Sequence, residues 1–236
     1  QVYIGENLGS PGERVLKGTA SELAEIPCAD LAVMLVLNPN SVNPFEPVRD
    51  EMLTRAKVPM TKEEVRWVSV ARLGVQPGDT VWDVGAGTGA VTFELARKAM
   101  DGAVFAVERS TEAVELIAQN RQKLGGFNVH IVPGHAPEVL ADLPKPNCVF
   151  VGGSGGNMRK IIEIALTKNP KARIVVNAIA LETLQETQRL FAEFGLQQVE
   201  ITQLSAARGK NIGCYTMMTA NNPVFILSGK GAKYGE

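Results

Sequence analysis

The run Asp83-Val84-Gly85-Ala86-Gly87-Thr88-Gly89 falls where a short apolar strand, Thr80 to Val84, gives way to a helix from about Ala90 to Lys98. Glycines at 85, 87 and 89 let the backbone turn tightly and let a ligand come within contact distance of the main chain. Alone, such a run also fits a plain strand-to-helix turn. Two acids favour a ligand. Asp83 stands at the carboxyl end of its strand, where open α/β sheets bind ligands. Glu108 follows the next strand, Ala103 to Val107, at the spacing where a carboxylate accepts hydrogen bonds from both ribose hydroxyls of a nucleoside. A dinucleotide fingerprint reads GxGxxG and turns a helix end toward a pyrophosphate. Here the spacing is GxGxG after an acid. S-adenosylmethionine has no phosphate but does have an ammonium, for which Asp83 is a direct or water-mediated partner. The acid-first pattern therefore favours that cofactor.

These residues need a frame, and the chain from residue 57 onward supplies a regular one. Thr61-Lys62-Glu63-Glu64 reads as a capping box opening a helix. That helix runs through Val65, Val68, Ala71 and Arg72 and stops at Gly74. Strands and helices then alternate: helix Thr111 to Lys123, strand Asn128 to Val132, a short helix near Pro137 to Ala141, and strand Cys148 to Val151. Helix Asn157 to Thr167, strand Ala172 to Asn177 and helix Leu181 to Phe194 follow. The stripe Ile161, Ile162, Ala165 and Leu166 reads as a buried helix face. Such alternation implies βαβ units and a parallel sheet covered on both faces. The ending breaks the rule. Strands near Gln198 to Leu204, Cys214 to Thr219 and Val224 to Leu227 finish the chain, and Ala220-Asn221-Asn222-Pro223 between the last two is too short for a crossover helix, so at least one pair there is antiparallel. The fold class expected is α/β: a Rossmann-like, class I methyltransferase sheet, mostly parallel with antiparallel C-terminal strands.

Residues 1–40 read differently. A strand at Gln1 to Ile4, a turn with Gly9, Ser10, Pro11 and Gly12, a helix around Ala20 to Ala24 and a strand at Leu31 to Leu37 precede a Pro/Asn-rich stretch. The apolar run Leu31 to Leu37 has the length of a buried strand. Residues 41–56 are expected to be a linker and residues 57–236 the main domain. The chain starts at Gln1, without methionine and in mid-pattern, as a fragment of a longer polypeptide would.

Composition sets the bounds. The chain has 236 residues, 45% hydrophobic and 21% charged, with a formal net charge of −1. Those are ordinary globular values, and nothing marks the molecule as a partner for nucleic acid or an anionic membrane. No apolar run reaches the roughly 20 residues of a membrane-spanning helix, and no signal-peptide pattern is visible. Cys28, Cys148 and Cys214 are far apart, and His130 and His135 have no cysteine near them. No metal site or disulfide framework is expected. The three cysteines read as small buried hydrophobes in a reducing cytoplasm.

From about residue 58 to 228 the sequence resembles the decarboxylating precorrin-6Y methyltransferases of cobalamin biosynthesis, specifically the part that methylates carbon 15 and decarboxylates the ring-C acetate. The matching pieces are Met60-Thr61-Lys62-Glu63-Glu64-Val65-Arg66, the acid–glycine run at 83–89, and Gly134-His135-Ala136-Pro137-Glu138. Val151-Gly152-Gly153-Ser154-Gly155-Gly156, Leu181-Glu182-Thr183, Ala207-Arg208-Gly209 and Asn222-Pro223 complete the set. The Gly-Gly-Ser-Gly-Gly run is far more specific than the first glycine loop. Glu6-Asn7-Leu8-Gly9-Ser10-Pro11-Gly12-Glu13-Arg14 with Gly18-Thr19 resembles the end of the carbon-5 methylase half, fused to the other half in some organisms.

The resemblance implies S-adenosyl-L-methionine as cofactor, held by Thr61, Asp83, Gly85, Ala86, Gly87, Thr88, Gly89, Glu108, His135 and Ala136. Many relatives carry aspartate where His135 stands; His135 either accepts a hydrogen bond when neutral or is a plain loop residue. A carboxylate-rich tetrapyrrole substrate is implied, with Gly152, Gly153, Ser154, Gly155 and Gly156 presenting backbone amides to it. Arg208 and Lys210 are the candidate carboxylate clamps, against the alternative of solvated surface charge. Glu182 and Arg208 are the candidate catalytic side chains; Glu182 equally fits a first-turn acid on a helix dipole. Family members form tetramers, so a homo-oligomer is expected. Two alternatives stay open: a methyltransferase for another substrate, RNA, protein or a small molecule, and a cofactor-binding scaffold without turnover. The near-neutral charge and the absence of an Asn-Pro-Pro-Tyr-type loop argue against RNA.

Overall fold

The computed structural model describes residues 1–38, 43 and 46–232. The chain divides into two compact units, Gln1–Asn43 and Pro44–Glu236.

In the first unit, β1 (Val2–Glu6), β2 (Arg14–Gly18) and β3 (Ala32–Val36) form an antiparallel sheet in the order β2-β1-β3. The period-2 alternation of β1 turns Val2 and Ile4 inward onto Leu23 of the short helix α1 (Ala20–Leu23). Thr19 and Glu22 cap that helix reciprocally. β2 was not anticipated, because Arg14-Val15-Leu16-Lys17-Gly18 follows a turn and lacks a clean apolar alternation. The expectation of a buried strand at Leu31 to Leu37 is overturned: β3 is exposed along its whole length, with Met34 62% accessible. It is an edge strand in a sheet too small to cover it.

The second unit holds a seven-stranded sheet in the order β6-β5-β4-β7-β8-β12-β9. Its strands are β4 (Thr80–Val84), β5 (Ala103–Glu108), β6 (Val129–Pro133), β7 (Cys148–Val151), β8 (Arg173–Ala178), β9 (Gln197–Leu204) and β12 (Val224–Lys230). The first five run parallel, and β12 pairs antiparallel with both β8 and β9. Adjacent residues on β4 feed opposite cores. Val81 packs with α2 (Glu63–Leu73), α3 (Ala90–Lys98) and α4 (Thr111–Leu124); Trp82 packs with α5 (Met158–Lys168) and α6 (Leu181–Glu193). Both faces are thus covered, as an all-apolar parallel strand requires. From β4 the chain builds outward to β5 and β6, then returns to β7 and β8 on the other side. The reversal beside β4 is a topological switch point, where α/β sheets open a crevice at the carboxyl ends of their strands.

The antiparallel ending is present with different partners from those the spacing suggested. The strand expected at Cys214 to Thr219 is β11 (Tyr215–Ala220), which pairs with an unanticipated β10 (Ala207–Ile212) as a separate two-stranded hairpin. Nearly every residue of that hairpin is exposed, including Ile212, Tyr215, Met217 and Met218.

Two further expectations are corrected. Of the linker assigned to 41–56, residues 41, 42, 44 and 45 lie outside the described residues, but 46–56 belong to the larger unit. Val48 and Leu53 are buried in its core. The Val48 amide donates to Glu94 Oε1 at 2.8 Å, and Thr54 and Asn120 exchange hydrogen bonds at 2.8 Å. Cys148 is buried, as expected, whereas Cys28 and Cys214 are exposed.

Candidate active site

Each strand of the parallel half hands one loop to the same edge. After β4, the amides of Gly85 and Ala86 donate to the carbonyl of Val107, pinning the first glycine loop onto β5. After β7, the Gly152 and Gly153 amides donate to the carbonyl of Val84, which folds the second glycine loop back over the first. The two backbones touch. Gly85 has φ +75°, and a Cβ on it would lie 2.6 Å from the Gly153 carbonyl oxygen. Only glycine permits that approach.

Between these loops lies a cavity of about 1060 Å³, ample against the roughly 300–1,000 Å³ of small-molecule sites. Thr61, Asp83, Gly85, Ala86, Gly87, Thr88, Glu108, His135 and Ala136 line it, and so does the whole run Gly152 to Gly156. Gly89 is set back: it caps α3, and its Cα faces Phe93 and Ile117. Glu182, Arg208 and Lys210 are not among the lining residues.

Asp83 is fully buried. Its Oδ2 accepts a 2.5 Å hydrogen bond from the Thr92 hydroxyl, while Oδ1 has no partner. Burial pushes its carboxyl up to about 7; the Thr92 bond opposes the rise and the charge of Glu108 adds to it. Glu108 is organised by backbone. Its Oε2 accepts from the Gly87 amide at 2.8 Å, and its Oε1 accepts from Arg109 and Ser110 at 2.9 Å each. A lone pair remains on Oε2 for a hydroxyl donor.

His135 sits between Glu138, at 3.0 Å from Nδ1, and Arg109, whose Nη1 is 3.5 Å from Nε2. Asn157 Nδ2 donates to the Ala136 carbonyl at 3.2 Å, joining the third loop to the start of α5. Five buried side-chain polar atoms lack a partner among the described residues, and three of them, Asp83 Oδ1, Thr88 Oγ1 and Asn177 Nδ2, belong to residues of this cavity. Buried polar groups are rarely left unpaired, so their clustering marks a place that a polar ligand completes. An ammonium suits the Asp83 oxygen, and a ribose suits Glu108.

The segment before α2 forms the near wall. Arg66, completely buried, donates to the carbonyls of Thr61 at 2.7 Å and Val48 at 2.5 Å, and to Asp50 Oδ1 at 3.1 Å. This grip, not a side-chain cap, sets the start of the helix. Lys62 is the N-cap and makes no side-chain cap bond, so the expected capping box is absent. Its Glu64 carboxylate is taken by Arg208, with Nε–Oε1 and Nη2–Oε2 both 2.6 Å. Arg208 also reaches Asp50 at 3.0 Å and Glu63 at 3.4 Å. Surrounded by three carboxylates, it tethers the β10–β11 hairpin to α2 and has no fork left for a substrate carboxylate. Lys210 lies on the same exposed hairpin, and Glu182 is an exposed first-turn acid of α6. The cations that do line the cavity, among the described residues, are Lys57, Lys62 and Arg109. Sequence reasoning passed over all three. Arg109 directly follows Glu108, a position that the β5 carboxylate itself marks as the rim of a ligand crevice.

A doubly covered, mostly parallel sheet, with an acid–glycine loop and a ribose-type carboxylate at its switch point, defines a class I S-adenosylmethionine-dependent methyltransferase. Residues 54–230 match the precorrin methyltransferase domain. The chain is 43% identical, over 184 residues, to a probable cobalt-precorrin-6B C(15)-methyltransferase (decarboxylating) from Pyrobaculum calidifontis, covering 77% of this chain and 94% of that one. Among solved structures, a precorrin-6y C5,15-methyltransferase from Geobacter metallireducens superposes with a TM-score of 0.74 at 34% identity, over 78% of this chain and 96% of that chain. A precorrin-8w decarboxylase from Methanobacterium thermoautotrophicum superposes with a TM-score of 0.73 at 37% identity, over 78% and 100%. The chain belongs to the precorrin methyltransferase domain family.

Proposed function

We propose that this chain binds S-adenosylmethionine in the cavity between the two glycine loops and methylates carbon 15 of a cobalt-precorrin-6B-type tetrapyrrole, with decarboxylation of an acetate side chain. The observation that carries this reading is one cavity with two chemically distinct ends. The β4–β6 end offers the unpartnered Asp83 oxygen, Glu108 and the Gly85 to Gly87 backbone. The β7–β8 end offers the backbone of Ser154 to Gly156, with Arg109 alongside, while the Gly152 and Gly153 amides are taken by the Val84 carbonyl. The first suits a nucleoside that carries an ammonium, the second an anionic, flat substrate.

When bound, the cofactor supplies the electrophilic methyl group. The protein's own work is alignment and exclusion of water. Asp83 holds the ammonium, Glu108 the ribose hydroxyls, and Thr61 with Met60 closes the near wall. His135 and Ala136 border the base. Lys57, Lys62 and Arg109 replace Arg208 and Lys210 as the cations facing substrate carboxylates.

We further read the exposed apolar β10–β11 hairpin as the contact surface of a homo-oligomer in the cytoplasm, with no role in binding nucleic acid. The first unit we assign to the end of a carbon-5 methylase domain; its uncovered strand β3 suits a piece of a larger sheet.

The test is incubation with S-adenosylmethionine and cobalt-precorrin-6B, read by mass spectrometry. A product that has gained one methyl group and lost one carbon dioxide supports the reading; a folded protein that binds cofactor but leaves the tetrapyrrole unchanged refutes it.

A further inference from the structure

At the substrate end of the cavity, Asn177 is the penultimate residue of β8, directly opposite Ile226 of the antiparallel β12. The side chain lines the cavity together with Ile179, Thr183 and Asn222. Its two amide atoms have unequal surroundings. Oδ1 lies 2.9 Å from the hydroxyl of Ser69, a fully buried residue of α2. That hydroxyl also lies 2.8 Å from the Val65 carbonyl of the turn below. The remaining atom, Nδ2, is buried and has no partner among the described residues.

An amide nitrogen held dry and unpaired costs free energy in the empty protein. It is useful only if something arrives that accepts its hydrogens. The position selects what that is. Cofactor-facing groups sit after β4, β5 and β6, whereas Asn177 sits two strands away from β4 on the opposite side of the switch point. It is therefore on the side left for the second substrate.

We propose that Asn177 is a specificity-determining residue that donates Nδ2–H to a carboxylate oxygen of the tetrapyrrole, with Ser69 as the positioning residue that orients its amide. The assignment rests on the function proposed above. An amide is a fitting donor here: it names a carboxylate by hydrogen-bond direction without adding a second fixed charge beside Asp83 and Glu108. Ser69 reaches it from a different element, and when its one hydroxyl hydrogen goes to Oδ1 rather than to the Val65 carbonyl, α2 sets the amide direction.

Asn177→Ala, Asn177→Asp and Ser69→Ala test the assignment by steady-state methyl transfer to cobalt-precorrin-6B, with S-adenosylhomocysteine calorimetry on each variant. Uroporphyrin III, a stable tetrapyrrole polycarboxylate, serves as a binding probe followed by tryptophan quenching. Loss of one hydrogen bond to a charged acceptor predicts a rise of about tenfold or more in tetrapyrrole KM for Asn177→Ala, with unchanged cofactor affinity. Asn177→Asp should be worse than alanine, since it places like charge against the carboxylate. Ser69→Ala should give a smaller KM rise. An Asn177→Asp variant equal to or better than Asn177→Ala overturns the donor role, and an unchanged KM and uroporphyrin affinity in Asn177→Ala overturn the contact. Loss of cofactor affinity in Asn177→Ala overturns its placement on the substrate side. A parent that neither turns over the precorrin nor binds uroporphyrin, while still binding S-adenosylhomocysteine, overturns the tetrapyrrole reading and this anchor with it.

Discussion

Asp83→Asn should make the protein more stable and a worse binder in the same stroke. The Asp83 carboxyl is buried, accepts from Thr92 on one oxygen alone and has its ionisation pushed from an ordinary 3.8 up to about 7. The native state thus keeps a proton that the unfolded chain releases near pH 4. Where the native state binds more protons than the unfolded one, stability falls as pH rises. The cost therefore grows between about pH 4 and pH 7 and is fully present above pH 7. At about 1.4 kcal/mol per pH unit the ceiling is about 4 kcal/mol. Asparagine keeps the shape and still accepts from Thr92, but has no charge to desolvate. About half the ceiling, about 2 kcal/mol, is a realistic gain at pH 8, or about 4–8 °C in Tm for a unit of this size. At pH 4, where native Asp83 is already neutral, the gain should vanish. Cofactor affinity moves the other way. Losing a charge-assisted bond to an ammonium costs about 1.5–3 kcal/mol, about 10–100-fold in Kd. Thermal melts at pH 4 and pH 8, with S-adenosylhomocysteine calorimetry at pH 8, read both arms. A variant no more stable than the parent at pH 8, or one with undiminished affinity, refutes the reasoning.

Other outcomes follow from the same geometry. Glu108→Ala should weaken S-adenosylhomocysteine about 10–100-fold by calorimetry, since the ribose loses a charged acceptor; the freed Gly87, Arg109 and Ser110 amides should also loosen the loop in hydrogen exchange. Gly85→Ala meets both a left-handed φ of +75° and the Gly153 carbonyl, so urea unfolding should show about 2 kcal/mol of destabilisation or more, with cofactor binding lost. Arg66→Ala removes the cation beside the buried Glu94 and the donor to the Thr61 and Val48 carbonyls, and should cost about 3–5 kcal/mol in the same assay. Arg208→Ala should cost only about 1 kcal/mol, as for a partly exposed ion pair, and leave tetrapyrrole KM unchanged; a raised KM would return Arg208 to the substrate.

What the sequence disclosed divides along a physical line. Asp83, Gly85, Gly87 and Glu108 were legible because strand ends, glycine spacing and the interval to the next strand are local patterns, and the fold places them where those patterns say. The alternation of strands and helices was legible for the same reason. Long-range pairing was not. Glu64 reads as half of a capping box until Arg208, 144 residues away, claims its carboxylate. Val48 and Leu53 sit in a stretch whose prolines and asparagines read as linker, and only the partners Arg66, Glu94 and Asn120 show it to be wall. Lys57, Arg109 and Asn177 are single residues at element ends, with no spacing to flag them; the cavity alone singles them out. Strand β10 hid because a two-stranded hairpin that buries neither face carries no apolar alternation.

The placement of β12 has a consequence for how the chain is made. It is made after every other strand of its sheet, yet it lies inside that sheet, and among the described residues β9 joins the sheet through it. Until residues near Lys230 emerge, a nascent chain holds β4 to β8 with an open edge on β8, and β9 has nothing to pair with. Such an edge invites pairing with a neighbouring chain. Synthesis thus passes through a vulnerable interval that closes when β12 slides between β8 and β9.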